Sequence, residues 1–214
     1  MICPICRTDN HISIHKPLKG LYTHDNSMYP SIKQINYSTC SNCGCCYTLD
    51  EFSPETHNQG SEDRNEDSIN LERLRRIRHF NQGYRLIDFG CGKGQFTEIA
   101  QKSGYMVTPI DQDTDIQLSK LKSDRYNVIN CTEVIEHIIS PKEIVEEFDR
   151  VLKPGGIVYL ESSFTDFLGN PTNAGYIDPN IGHVLVHSRK SIEMLFEKFE
   201  AKWLNQNVCI FKKV

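Results

Sequence analysis

Residues 84–111 leave few choices of fold, because they combine two strands, a helix and a glycine-rich turn in one order. The strand YRLIDF precedes GCGKG at 90–94, and the helix-forming run QFTEIAQKSG precedes a second strand, YMVTPID, that closes on Asp111. A glycine-rich turn between a strand and a helix lets a ligand approach the backbone, and an acid at the tip of the next strand accepts ribose hydroxyls. The pattern therefore predicts an α/β unit that binds a nucleotide.

The turn differs from two common nucleotide-binding turns. Gln95 stands where a dinucleotide-binding G-x-G-x-x-G would have its third glycine, and Lys93 is not followed by the Ser or Thr of a phosphate-binding P-loop. The run is instead D-F-G-C-G-K-G, with Asp88 two residues before the first glycine.

Three motifs resemble those of class I S-adenosylmethionine-dependent methyltransferases. Residues 85–94 resemble motif I, YNVINCTEVIEHI resembles the fourth strand with the residues that follow it, and LKPGGIVYLES resembles the turn into strand five. The motifs come in the family's order, and the resemblance covers about 84–214. It implies a Rossmann-like α/β domain that transfers a methyl group from S-adenosylmethionine.

The resemblance also implies which residues contact the cofactor. The turn and the acid before it would follow the methionine part, Asp111 would hold the ribose, Gln112 would lie beside the adenine, and the strand-four tip would line the pocket near the sulfonium. The expected cofactor-binding residues are Asp88, Gly90, Cys91, Gly92, Gly94, Asp111, Gln112, Cys131 and Thr132.

One departure from the family lies between Asp111 and Tyr126. Only 14 residues separate them, whereas the family usually has a helix, a third strand and another helix there. We predict that the third strand is absent and that the adenine edge is more open, with Asp113 or Asp115 as candidates to compensate.

A second group of polar side chains follows the predicted fourth strand. Glu133, Glu136 and His137 stand in TEVIEHI, and His183 stands in a long insertion after strand five. The run SPKE at 140–143 predicts a capping box and a helix that begins at 141, which leaves TEVIEHI as a turn at the carboxyl end of the sheet.

E-x-x-E-H followed by a later histidine is similar to two branches of the family. RNA 3′-end 2′-O-methyltransferases hold a divalent metal with two Glu and two His, and ubiquinone-pathway O-methyltransferases share the turn. The resemblance implies a second metal site of Mg²⁺, Mn²⁺ or Zn²⁺ on Glu133, Glu136, His137 and His183. The ion would lower the pKa of the accepting hydroxyl, with His137 or His183 as general base.

The candidate catalytic residues are therefore Glu136, His137 and His183. The alternative is that the turn serves packing and capping alone, as its E-H does in many class I methyltransferases. We expect His187 to be structural, because Ser188 is placed to cap the next helix.

Two C-x2-C pairs near the N-terminus predict a structural zinc site. Their spacing makes each pair a tight knuckle that aims two sulfurs at one ion. The predicted ligands are Cys3, Cys6, Cys40 and Cys43. Either Cys45 or Cys46 could replace one of these ligands, and the competing interpretation is that the four thiols are unrelated. We expect His11, His15 and His24 to lie at the surface, with the alternative that one of them is a substitute ligand.

The chain is predicted to have three parts. Residues 1–58 form a small zinc-ribbon-like β module, 59–83 a linker and connecting helix, and 84–214 the methyltransferase domain. The acidic, polar run 51–67 is typical of a linker. The helix over 69–80 places arginines at 73, 75, 76 and 78 on one face, and we interpret that face as solvated, with a phosphate contact as the alternative.

Composition limits the acceptor and the location. The net charge of -4 argues against a protein that coats nucleic acid. No apolar run approaches the roughly 20 residues of a membrane span, and MICPIC is not a signal peptide, so we expect a cytoplasmic protein without a membrane partner. A hydroxyl of a small molecule or saccharide is the expected acceptor; the alternatives are RNA 2′-O-methylation and a non-catalytic zinc- and cofactor-binding interaction protein.

Overall fold

The computed structural model describes residues 2–17, 34–50, 66–169 and 175–214, with side chains for all of these except 15–17, 34 and 180. His24 and linker residues 51–65 lie outside the described residues. The chain divides into two compact units. The cysteine unit contains the described parts of 1–60 together with 136–139 and 163–194, and the sheet unit contains those of 61–135, 140–162 and 195–214.

The sheet unit is built on six strands in the order β5-β4-β6-β7-β10-β9. The strands β5, β4, β6 and β7 are parallel neighbours, and β10 and β9 complete the sheet as an antiparallel hairpin. The strands are β4 Arg85–Phe89, β5 Met106–Ile110, β6 Tyr126–Thr132, β7 Leu152–Glu161, β9 Phe199–Trp203 and β10 Val208–Lys213.

Three helices belong wholly to this unit, and an apolar core joins two of them to the sheet. They are α1 Glu66–Phe80, α2 Gln95–Lys102 and α3 Pro141–Val151. Leu74 and Ile77 of α1 pack with Ala100 of α2 against the strand residues Leu86 and Val128. These residues are 4% exposed or less, so the helices and the sheet share a dry core that fixes the carboxyl ends of the strands.

The predicted absence of a third strand is confirmed. Among the described residues, β5 is an edge of the sheet, and only the short 3₁₀ helix Leu118–Lys120 lies between it and β6. Fourteen residues are too few for two helices and a strand, so the chain returns directly to the sheet.

The cysteine unit contains a four-stranded antiparallel sheet in the order β1-β2-β3-β8. Its strands are β1 His11–Pro17, β2 Gln34–Cys40, β3 Cys46–Thr48 and β8 Leu185–Val186, and the helix α4 Arg189–Leu195 follows β8. The last strand comes from the insertion after β7, so the unit differs from the module that we predicted to end at residue 58. Cys46 pairs with Val186 and Tyr47 with Leu185, and all four are buried. A module of about 60 residues buries little apolar surface alone, and the insertion supplies the missing cover.

Two local predictions are corrected. The helix α3 begins at Pro141 as predicted, but Ser140 makes no side-chain capping hydrogen bond, so the predicted capping box is wrong. The prediction of a solvated arginine face on α1 is wrong for Arg73, whose side chain is 20% exposed because it pairs with Glu161 at the end of β7.

Candidate functional site

The glycine turn of the sheet unit has the backbone geometry of a ligand cradle. Gly90, Gly92 and Gly94 have φ of 76°, 50° and 82°, a region that side chains rarely adopt. A Cβ added at Gly92 or Gly94 would meet nothing within 4 Å, whereas one at Gly90 would lie 2.1 Å from Cγ2 of Val134. The turn is therefore open on one side and closely packed on the other, which suits a ligand that approaches the backbone.

Asp111 follows β5 and faces this turn. Its Oδ2 accepts the backbone N–H of Gly92 at 2.8 Å, and its Oδ1 accepts that of Gln112 at 2.8 Å. Each carboxylate oxygen has a further lone pair, so the same group can also accept ribose hydroxyls. The residues of the turn and of Asp111 thus fit the cofactor that the resemblance implies.

Asp88 lies beneath the turn in a network that sequence reasoning did not find. Its carboxylate is 1% exposed and accepts hydrogen bonds from Oγ1 of Thr97 at 2.6 Å and from Nδ2 of Asn130 at 2.9 Å. Burial raises the pKa of the Asp88 carboxyl, while these two hydrogen bonds act in the opposite direction. The signal in the sequence was Asn130, a polar residue in the apolar core of the strand between Ile129 and Cys131.

The other predicted cofactor residues occupy the expected ends of strands. Cys131 is buried in β6, and Thr132 ends that strand with its Oγ1 3.0 Å from Oδ1 of Asn130. Cys91 is half-buried in the glycine turn, and Gln112 is exposed after Asp111. The structure therefore brings the predicted set to the carboxyl ends of the parallel strands of one sheet, where open α/β sheets bind ligands.

A second candidate group lies within the cysteine unit. Ligand atoms of Glu136, His137 and His183 lie within 4.8 Å of one another, and we call these three residues the EHH group. Glu136 is 0% exposed and His183 is 5% exposed, whereas His137 is half-buried. The sequence also proposed Glu133, which belongs to the sheet unit and is not one of the three.

Backbone carbonyls set the protonation of both imidazoles. Nδ1 of His137 lies 3.0 Å from the carbonyl oxygen of Gly182, and Nδ1 of His183 lies 2.5 Å from that of Tyr176. A carbonyl oxygen only accepts, so in each neutral ring the proton is on Nδ1 and Nε2 is the basic nitrogen. Each ring therefore offers a lone pair that can take a proton or bind a metal.

Tyr176 joins two members of the EHH group. Its hydroxyl donates to Oε1 of Glu136, its carbonyl accepts from His183, and its ring centroid is 4.2 Å from that of His183. Nε2 of His183 is 4.0 Å from the same Glu136 oxygen. The tyrosine thus holds the carboxylate and the imidazole in one arrangement.

Burial keeps two histidines of this unit neutral. It lowers the pKa of His183 to about 4 and that of His187 to about 3. His187 is 2% exposed and lies next to Ser188, whose Oγ accepts the backbone N–H of Ser191 at 2.9 Å as the predicted cap of α4. His187 is not in the EHH group and belongs to the packing of the unit.

Four thiols of the same unit fit a tetrahedral zinc ion. The sulfurs of Cys3, Cys6, Cys40 and Cys43 all lie within 4.8 Å of one another. Tetrahedral bonds of about 2.3 Å place sulfurs about 3.8 Å apart, and the Cys3–Cys43 and Cys6–Cys40 pairs are 3.6 and 3.4 Å apart. Burial raises the pKa of the Cys3 thiol to about 12, and a bound cation would favour its ionised form.

The two alternative ligands lie in different places. Cys45 has its sulfur 3.5 Å from that of Cys3 and 3.4 Å from that of Cys43, although it is not one of the four mutual neighbours. Cys46 packs instead into an apolar cluster with Tyr37 and Val186. Cys45 is therefore the nearer substitute.

The arginines of α1 have partners within the chain. Although burial alone would raise the pKa of Glu161, the hydrogen bonds and charge of Arg73 lower it overall. The hydrogen bonds run from Arg73 to Asn70 and Glu161, from Arg75 and Arg76 to Glu72, and from Arg78 to the carbonyl of Ser103. These pairings weigh against the alternative that this helix holds a substrate phosphate.

A family model described as a methyltransferase domain matches residues 49–205. This chain belongs to that family. The ubiquinone biosynthesis O-methyltransferase of Coxiella burnetii is 25% identical over 121 residues, which are 45% of this chain and 52% of that protein. The chain thus spans about half the length of the curated relatives it matches.

Two solved structures share the fold of this methyltransferase domain. The 1,6-didemethyltoxoflavin-N1-methyltransferase of Burkholderia thailandensis, with bound S-adenosylhomocysteine, has a TM-score of 0.57 at 11% identity and covers 87% of this chain and 98% of its own. A SAM dependent methyltransferase from Archaeoglobus fulgidus has a TM-score of 0.52 at 16% identity, over 70% of this chain and 95% of its own. The predicted Rossmann-like α/β fold is confirmed.

The sequence predicted no membrane-spanning segment. In the described part of the chain, no helix combines the length and the apolar character that crossing a membrane requires.

Proposed function

We propose that this chain transfers a methyl group from S-adenosylmethionine to a hydroxyl group of a small molecule or saccharide. Membership of the methyltransferase domain family and the open glycine turn with Asp111 support the methyl donor. The name of the Coxiella burnetii relative supports oxygen as the accepting atom. The paired arginines of α1 favour a small acceptor over RNA.

The observation that carries the proposal is the EHH group. A buried carboxylate and two imidazoles with basic Nε2 atoms stand in one cluster, and backbone carbonyls fix the orientation of both rings. Packing alone does not require three such groups together, because burying a charge or an unsatisfied imidazole is costly. In the chain, Glu136 follows the strand-end residue Thr132 by four positions.

S-adenosylmethionine supplies an electrophilic methyl group on a positively charged sulfur. The acceptor oxygen forms the new bond to that carbon, and its proton must go to a base as the carbon–sulfur bond breaks. We assign Nε2 of His137 as this base, because the half-buried ring can pass the proton on to water. His183 stays neutral at neutral pH, and with Glu136 it accepts hydrogen bonds from other donor groups of the acceptor molecule, which orients the reacting hydroxyl toward His137.

The same side chains also fit a divalent ion. One carboxylate and two imidazoles suit Mn²⁺ or Zn²⁺ better than Mg²⁺, which prefers oxygen ligands. Their Nδ1 bonds to carbonyls resemble the outer-shell support that metal-binding histidines have. In that case Glu136, His137 and His183 would hold the ion, and its chemistry would be to lower the pKa of the acceptor hydroxyl.

The test compares Glu136→Gln with Glu143→Gln, a matched change at an exposed position of α3. Each protein is incubated with methyl-labelled S-adenosylmethionine and a fractionated cell extract, and S-adenosylhomocysteine binding is measured by calorimetry. We expect Glu136→Gln to lower label transfer by about 100-fold or more without weakening S-adenosylhomocysteine binding, and Glu143→Gln to behave as wild type. If Glu136→Gln still transfers label, the turn that carries Glu136 has only a packing role. If wild type gives no calorimetric signal with S-adenosylhomocysteine, the assignment of S-adenosylmethionine as the methyl donor is wrong.

The metal alternative needs its own comparison. Wild type, His183→Gln and Glu133→Gln are treated with a chelator under conditions in which metal analysis still finds one zinc per chain, and they are then assayed with added Mn²⁺. If Mn²⁺ restores methyl transfer in wild type but not in His183→Gln, the result supports an ion at the EHH group. If Mn²⁺ also fails to restore transfer in Glu133→Gln, the result supports Glu133 as a fourth ligand. Full activity in the chelator-treated wild type would exclude the ion and leave the base mechanism.

A further inference from the structure

The cysteine cluster and the EHH group belong to one compact unit, although the linear sequence separates them by about a hundred residues. Three separate sets of hydrogen bonds within this unit run from the cysteine segment to the insertion that carries His183. Together they connect the backbone near the thiols to the EHH group and to the insertion around it.

The first set is a strand path. β3 starts at Cys46, three residues after Cys43, and pairs with β8. Val184, just before β8, donates its N–H to the carbonyl of Glu136 at 2.9 Å and accepts the N–H of Thr48 at 3.0 Å. One residue therefore joins the strand that follows the cysteine knuckle to the backbone of Glu136.

The second set is a single side chain. Tyr37 lies on β2, three residues before Cys40, and its hydroxyl donates to the carbonyl oxygen of His183 at 2.6 Å. The ring is 0% exposed, and burial raises the pKa of its hydroxyl, so it remains a donor at physiological pH. A strand that ends in a predicted zinc ligand thus fixes the backbone of one member of the EHH group.

The third set holds the second knuckle itself. Three consecutive carbonyls at 42–44 accept hydrogen bonds from side chains of the insertion. The donors are Lys190 to Asn42 at 2.6 Å, Ser188 to Cys43, and Thr165 to Gly44 at 2.8 Å. Gly44, with φ of 76°, gives the knuckle the turn that exposes these carbonyls.

We propose that the four-cysteine zinc site is a positioning element for the EHH group, so that loss of zinc disables methyl transfer while the cofactor residues of the sheet unit stay folded. The inference rests on the proposed function for the role of the EHH group. Zinc binding to small cysteine sites is coupled to their folding, so we expect strands as short as β3 and β8 to depend on it. The availability of zinc then controls how the EHH group holds the acceptor, without changing how the sheet unit binds the cofactor.

The sharpest test removes one hydroxyl and leaves all the cysteines. Tyr37→Phe deletes the hydrogen bond to His183. Tyr47→Phe is the matched control, since Tyr47 is a 1% exposed tyrosine on the neighbouring strand whose hydroxyl finds no partner among the described residues. We expect Tyr37→Phe to keep one zinc per chain and wild-type S-adenosylhomocysteine affinity but to lower label transfer about five- to tenfold. Tyr47→Phe should match wild type in all three measurements; equal transfer by the two variants would overturn the inference.

A second test reads the structure without using activity. Cys3→Ser with Cys40→Ser should release the zinc, and amide hydrogen exchange is then followed at Val184 and at Ile129 of β6. We expect exchange at Val184 to rise at least tenfold, with Ile129 protection and S-adenosylhomocysteine binding unchanged. Unchanged zinc or unchanged Val184 exchange would refute the positioning role. If wild type transfers no methyl group but Val184 responds in this way, the proposed function fails and the coupling between the two sites stands.

Discussion

The buried imidazole of His187 makes the stability of the cysteine unit depend on pH. The ring is 2% exposed, its Nδ1 lies 3.2 Å from Oγ of Ser191, and its Nε2 has no hydrogen-bond partner among the described residues. Burial therefore lowers its pKa to about 3, whereas an unfolded chain has a histidine pKa of about 6.5. The unfolded state binds the proton more tightly, so the folded state loses stability as pH falls below about 6.5.

The size of the loss follows from these two pKa values. Each pH unit between them is worth about 1.4 kcal/mol, so the loss from about pH 7.5 to pH 5 is about 2 kcal/mol. His183, whose pKa is lowered to about 4, adds a similar loss, and a single curve of stability against pH does not separate the two. The difference in stability between wild type and His187→Gln at each pH isolates the contribution of His187, because the contributions of the other groups cancel.

The assay is native-state amide hydrogen exchange at Leu185 of β8, which gives the free energy of opening of this unit. We expect wild type to lose about 2 kcal/mol more than His187→Gln over this pH range. His79→Gln, at an exposed position of α1, is the control and should follow wild type. Parallel curves for wild type and His187→Gln would refute the argument that His187 is buried as a neutral base.

Two further predictions concern the sheet unit, and both are read from urea unfolding followed by the fluorescence of the single tryptophan. Arg73→Met should lower the free energy of unfolding by about 3 kcal/mol, because it leaves the 20% exposed carboxylate of Glu161 without its cation. Adding Glu161→Gln should restore part of that free energy. A loss below about 1 kcal/mol would mean that the pair contributes no more than an ordinary surface ion pair. Gly90→Ala should lower the free energy of unfolding by about 2 kcal/mol more than Gly104→Ala. Both glycines have positive φ, but only the change at Gly90 places a Cβ 2.1 Å from Val134. Equal losses would show that the turn relaxes to accept the new methyl group.

Features set by local pattern were predictable from the sequence. The glycine turn with Asp111 depends on residues close together in the chain, and the absent third strand follows from the 14 residues after Asp111. The spacing of the four cysteines predicted their convergence, which the structure shows. Periodicity and chain length carry these features, and both can be read without tertiary contacts.

Features made by distant contacts were not predictable in this way. The hydrogen bond from Tyr37 to His183 joins residues 146 positions apart, and β8 is a two-residue strand that exists because Tyr47 pairs with Leu185. The half-buried Arg73 had the same local signal as the exposed Arg75 and Arg78 on α1. Its environment is decided by Glu161, far along the chain at the end of another strand.

The central claim is that the EHH group serves methyl transfer to oxygen. We would incubate wild type and Glu136→Gln with S-adenosylmethionine carrying a carbon-13 methyl group and the extract fraction that takes label, then record carbon-13 spectra. The account predicts a new resonance in the range of O-methyl groups with wild type and its absence with Glu136→Gln. A resonance of an N- or C-methyl group, or an O-methyl resonance of equal size with Glu136→Gln, would contradict it.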